Sequence, residues 1–276
     1  AIVLFMPLTI FALARGNAAT NHEGWASPTV IACFAVAAAA FAFFIVTELR
    51  NPTPLLQIRL LGERNFGISM GVLTLFAVGM LGGTYLLPLY MQRGLDYTAL
   101  MAGSVFLPVG LIQGVLSAVS GYMTRYVKPL LLVVAGIFVM ALSFWLASRF
   151  TIHTTHRHIL FVLYLRGFGM GLTFAPLNLF SLKNLTQQDM AAAAGISNSI
   201  KQLAGSFGIA ILTVVFTART AFHAAHETHL TPQTYVEGVT DALTIVVWIT
   251  LAATIPLLGA LRRKKKPRKA GPISPR

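Results

Sequence analysis

Charge is what this sequence has least of. Only 11% of its 276 residues are Asp, Glu, Lys or Arg, against about a quarter in a soluble globular domain. Hydrophobic residues make up 56% of the chain and its mean hydropathy is +0.73. Such a composition excludes a water-soluble domain and indicates a membrane protein. Cysteine is reduced to a single residue, Cys33, so an internal disulfide is excluded. The scarcest charge is negative. The eight acids, Glu23, Glu48, Glu63, Asp96, Asp189, Glu227, Glu237 and Asp241, all fall in loops or at the ends of expected helices. No carboxylate pair, Ser/His/Asp group or metal-ligand set is expected at membrane depth, which leaves an enzyme without support.

Positive charge is present but segregated. The formal net charge is +13, and eight of the 21 Lys and Arg lie from Arg262 onward. The body before them lacks the basic face of a nucleic-acid-binding domain. The tail, "LRRKKKPRKAGPISPR", is read as a cytoplasmic anchor beside anionic headgroups, each charge contributing about 1 kcal/mol.

A spanning helix needs about 20 largely apolar residues. Seven runs qualify, at 28–47, 66–90, 98–122, 129–148, 159–182, 203–222 and 242–261. An eighth, "AIVLFMPLTIFALA" at 1–14, looks like the remainder of a helix whose beginning is missing. Because Lys and Arg are retained on the cytoplasmic side, placing the tail inside puts 48–65, 123–128 and 183–202 inside as well. That side then carries 15 basic residues against 5 on the other. Internal prolines at Pro88, Pro108, Pro176 and Pro256 are breaks of the kind tolerated where neighbouring helices or a water-filled cavity satisfy the freed backbone groups.

Three stretches are more specific: "LPLYMQRGLDYTALMAGSVFLPVGL" at 87–111, "RGFGMGLTFAPLNLFSL" at 166–182 and "AAAAGISNSIKQLAGSFGIAILT" at 191–213. In this order and spacing they resemble the C-terminal part of the fourteen-helix drug:proton antiporters of the major facilitator superfamily, the EmrB/QacA type. "ELRNPTPLLQIRLLGERNFG" at 48–67 is similar to the linker leading into the second bundle there. The loop "GYMTRYVK" departs from the family's gating pattern and keeps only Gly121 and Arg125 of it. The resemblance implies an all-α polytopic membrane protein with a six-helix C-terminal bundle at 66–261. It makes 1–47 two linker helices between bundles, 48–65 a cytoplasmic linker and 262–276 a basic cytoplasmic tail.

The same resemblance implies proton-coupled efflux of lipophilic, often cationic, compounds by alternating access across the cell membrane. No cofactor is expected, only a proton gradient as energy source. The coupling carboxylate and the other bundle are expected to belong to an N-terminal part absent from this sequence. The expected partners are therefore that bundle, the lipid bilayer and a lipophilic small molecule. The alternative is a helical membrane scaffold or partner subunit that transports nothing.

Individual residues divide into two groups. Gly167, Gly169, Gly171, Gly205 and Gly208 suit close helix packing, while Pro108 and Pro176 suit kinks or hinges. Candidate pathway residues are Arg166, Tyr90, Gln92, Gln113, Phe174, Asn178, Asn198 and Gln202, with Tyr85, Phe106 and Tyr164 beside them. Aromatic faces among them suit a lipophilic cation. Arg166 either snorkels outward or turns to a cavity or partner. Asp96 is expected to cap the following helix. All seven histidines are expected in outer loops, and "HAAHETH" at 223–229 has the i, i+3, i+6 spacing of a weak metal site.

Overall fold

The computed structural model describes residues 27–50, 58–183, 185–224 and 231–257, and every placement below refers to these. The expected helix at 1–14 and the tail at 262–276 lie outside them. Helix α1 is Pro28–Arg50, and a 3-10 turn, Ile58–Gly62, follows. The bundle consists of α2 Arg64–Gly94, α3 Ala99–Ser104, α4 Leu107–Met123, α5 Pro129–Ala147, α6 His156–Leu182, α7 Met190–Ala224 and α8 Pro232–Ala252. Six stretches are long and apolar enough to cross a membrane, α3 and α4 together forming the second, Ala99–Met123.

Local sequence explains the joints. The second span breaks at Val105 and Phe106 because Pro108 has no N–H for the preceding turn and is tolerated only in the first turn of a helix. Thr98, not Asp96, caps α3, its side chain accepting from the Met101 N–H. Asp96 instead takes φ 53° in the turn, a left-handed conformation that Asp adopts more readily than most residues. Thr231 opens α8 with a capping box closed by Thr234.

The last two spans begin earlier than hydropathy suggested, at Met190 and Pro232 rather than 203 and 242. The run "MAAAAGISNSIKQLAGSFG" is rich in helix-favouring alanine. Its polar residues lower the hydropathy average without breaking the helix. Consequently Lys201, expected in a cytoplasmic loop, lies inside α7. Glu237 and Asp241, expected near a helix end, lie well inside α8.

Helix α2 is the axis of the bundle and packs against α6, α7 and α8. Around it α4 meets α6, α6 meets α5, α5 meets α8 and α8 meets α7. Helices α4 and α7 stand at the two ends of this open ring and are the least buried spans. Without water to drive burial, such helices associate through close packing, which favours small residues at crossings. A Cβ on Gly169 of α6 would lie 2.8 Å from the Met140 N of α5 and 3.0 Å from the Gly136 O, so backbone meets backbone there. Gly167 and Gly171, one turn apart, face α4 instead: their Cβ atoms would lie 3.0 Å from the carbonyls of Val109 and Gln113. On α7, Gly208 lies against α2, where a Cβ would come within 2.8 Å of the Val78 Cα. The nearest atoms to a Cβ on Gly205, one turn before it, belong to the Leu81 side chain.

Candidate functional site

Between α6 and α7, backed by Leu73 of α2, lies a half-open cavity of about 410 Å³. Phe174, Asn178 and Ser181 line it from α6, and Ser197, Asn198 and Lys201 from α7. It occupies the half of the bundle nearest the connection between these two helices. Both serines spend their hydroxyl protons on their own helices, Ser181 donating to the Asn178 O at 2.7 Å and Ser197 to the Ala193 O at 2.7 Å. The two carboxamides and the Lys201 ammonium are thus the lining groups with protons to donate outward. Phe174 is held by an edge contact to Phe76, ring centroids 5.6 Å apart. The Lys201 Nζ stands over the Phe174 ring, 5.9 Å from its centroid.

Asn198 and Gln202 are exposed on α7, and Asn178 is exposed on α6. Primary amides are costly against lipid, so this face is turned to water or to other protein. Phe174, Asn178 and Asn198 are brought together here, as candidates named from the sequence. Gln202 lies on the adjoining surface of α7, outside the lining. Lys201, Ser181 and Ser197 were missed. The signal was available in "SNSIKQ", where polar positions recur every three to four residues and mark one helical face, but reading 183–202 as a loop concealed it.

The other candidates lie elsewhere. Arg166 is buried, 1% exposed, about 15 Å along α6. It neither snorkels nor reaches the cavity. Its guanidinium donates to the Met80 O at 2.9 Å, the Gly83 O at 3.4 Å and the Thr84 hydroxyl, and lies over the Phe144 ring at 5.0 Å. Thr84 in turn donates to the Met80 O at 2.6 Å. Pro88, one turn on, has no N–H to offer the Thr84 carbonyl; the carbonyls that Arg166 bonds are those of Met80 and Gly83 before it. Tyr90 is also buried, donating to the Thr151 O at 2.8 Å and packing on Phe150 at 5.2 Å. Gln113 is half-buried on α4. Gln92 lines a separate hollow at the other end of the bundle with Arg93, Asp96, Tyr97 and Tyr235. Pro176 is buried inside α6, and Pro108 sits at the break between α3 and α4.

Three histidines are helical rather than in loops: His156 and His158 begin α6, and His223 ends α7. His156 pairs through Nδ1 with the Tyr97 hydroxyl at 3.0 Å. His223 lies 3.0 Å from Asp241 and 3.3 Å from Glu237, with Arg219 3.8 Å from Asp241. This cluster ties the end of α7 to α8. The remaining histidines of "HAAHETH" lie outside the described residues, and among the described residues no group of three or more ligands suited to a metal occurs.

A family model described as Major Facilitator Superfamily matches residues 1–209. Among curated proteins, the chain is 32% identical over 207 residues to the multidrug export protein EmrB of Escherichia coli (strain K12), covering 75% of this chain and 40% of that protein. It is 29% identical over 211 residues to the uncharacterized MFS-type transporter YhcA of Bacillus subtilis (strain 168), covering 76% and 40%. It is 26% identical over 254 residues to the lincomycin resistance protein LmrB of the same organism, covering 90% and 52%. The chain therefore spans about two fifths to one half of the length of these relatives. The resemblance carried by the three motifs is to proteins of this kind. An all-helical bundle with six stretches fit to cross a membrane, matched over three quarters of its length, makes this chain a member of the Major Facilitator Superfamily, a family of membrane transporters rather than enzymes.

Proposed function

We propose that this chain is the C-terminal part of a multi-pass exporter that moves lipophilic small molecules out of the cell in exchange for protons. The observation that carries the reading is the open face between α4 and α7: membrane-spanning helices there expose Asn178, Asn198 and Gln202 beside a cavity. Lipid cannot satisfy those amides, whereas a second bundle enclosing an aqueous path can. Relatives of which this chain matches only about two fifths leave room for such a bundle in the same polypeptide.

In this reading residues 66–261 are the C-terminal bundle and 1–47 supply two helices between bundles. The tail at 262–276 lies on the cytoplasmic side with the loops at 48–65 and 123–128. The cavity then opens toward the cytoplasm, where a substrate enters. The bundles rock about it while tight crossings such as Gly136 with Gly169 keep each bundle rigid. Proton coupling belongs to an acid on the other bundle, because no carboxylate lines this cavity.

The test is transport by the product of the complete gene in everted membrane vesicles, using fluorescent lipophilic compounds of either charge. Accumulation that depends on an imposed proton gradient and stops when the gradient is collapsed is the expected result. Absence of gradient-dependent movement of any compound refutes the proposal.

A further inference from the structure

We infer that the cavity between α6 and α7 selects substrates carrying an anionic group, a carboxylate or sulfonate on a lipophilic body, with Lys201 as the residue that recognises it. The inference rests on the transporter reading above and narrows its substrate class.

Four observations lead to it. Lys201 lies about 16 Å along α7 from Met190, within one to two turns of the middle of a 35-residue helix. A lysine at that depth is costly and is retained where a cavity or a partner receives it. Among the described residues no carboxylate pairs with it, since the salt bridges found there involve only Arg219, His223, Glu237 and Asp241. Lys201 is the one charged residue in the lining, and its neighbours Asn178 and Asn198 offer amide N–H donors. A carboxylate or sulfonate accepts from all three, and hydrogen bonds to a charged group are the strong ones. Finally, Phe174 offers the aromatic face that a substrate cation would seek, and the Lys201 ammonium already stands over that face. A cationic substrate would meet a like charge at its own recognition site.

Volume agrees with this chemistry. About 410 Å³ falls within the range of small-molecule sites, enough for a fused aromatic body with a short acidic arm. Leu73 and the Phe174 ring receive the apolar body, and Lys201 with the two amides receives the head.

A matched pair of probes tests head-group charge with the body held constant: 1-pyrenebutyrate and 1-pyrenebutyltrimethylammonium. Binding to the complete protein in nanodiscs is read from pyrene fluorescence, with far-UV circular dichroism and gel filtration to show that each variant is folded. The wild type is expected to bind the anion at least about tenfold tighter than the cation. Lys201→Gln is expected to lose about tenfold for the anion only, and Lys201→Arg to keep the preference. Lys201→Glu is expected to reverse it. Preference for the cation by the wild type overturns the inference, as does a folded Lys201→Gln protein with unchanged anion affinity, the result for a lysine that merely extends to the headgroups. Transport separates this from the broader reading. Vesicles that export the cation or another compound but not the anion sink only the anion preference, while vesicles that export no compound at all sink the transporter proposal with it.

Discussion

Replacing Arg166 by Met removes a charge from the middle of a membrane helix and leaves the protein nearly as stable as before. On membrane-insertion scales an arginine near the helix centre costs about 2.5–3.5 kcal/mol. Against this stand three hydrogen bonds to Met80, Gly83 and Thr84, and interhelical bonds in membranes average about 0.6 kcal/mol with a maximum near 1.7. The Phe144 face adds about 0.5–2 kcal/mol. The two sides cancel to within about 1–2 kcal/mol, and Met fills similar space, so Arg166→Met should change unfolding free energy by less than about 1.5 kcal/mol. Breaking the arrangement while keeping the charge is worse. Thr84→Val leaves the guanidinium short of an acceptor and should cost about 1–3 kcal/mol. Arg166→Lys, whose compact ammonium cannot fork between two carbonyls, should cost a similar amount. The assay is equilibrium unfolding in mixed detergent micelles followed by far-UV circular dichroism. A loss above about 3 kcal/mol in Arg166→Met together with no effect of Thr84→Val would refute the reasoning, because Arg166 would then be answering to something other than α2.

Three further outcomes follow from the packing and the open face. Gly208→Ala places a methyl against the Val78 backbone and should destabilise by about 1–3 kcal/mol; Gly195→Ala, with nothing within 4 Å, should be neutral or stabilise by up to about 1 kcal/mol, both read by the same unfolding assay. Asp241→Asn weakens the contacts to His223 and Arg219, which are partly exposed, so it should cost no more than about 1 kcal/mol and raise hydrogen exchange at the end of α7 nearest Ala224 alone. With Cys33→Ala as background, cysteines placed at Asn198 and Gln202 in the complete protein should react with a water-soluble maleimide at rates that change when a proton gradient is imposed, while one at the buried Tyr90 should not react; gradient-independent rates at all three positions would count against alternating access.

Much of this was legible in the sequence, because the bilayer is a demanding solvent. Runs of about 20 apolar residues have few fates other than spanning, so the membrane class and the spans from 66 to 182 could be read directly. The motifs at 87–111, 166–182 and 191–213 were enough to point to the family. Asn178, Asn198 and Gln202 were named together among the candidates, and only the first two line the cavity. Hydropathy averages failed where polar residues share a helix with apolar ones. They shortened α7 and α8, moved Lys201 to a loop and hid Asp241 inside a helix. Only the tertiary structure decided where each polar group points. The sequence left Arg166 either to snorkel or to turn to a cavity or partner, and the approach of α2, with its accepting carbonyls, supplied the partner. The sequence placed Lys201 among cytoplasmic charges; the continuity of α7, packed through Gly205 and Gly208 against α2, turned it toward Phe174 and made it part of a cavity. Periodicity and hydropathy are properties of one segment, whereas the environment of a charge is a property of the helices that close around it.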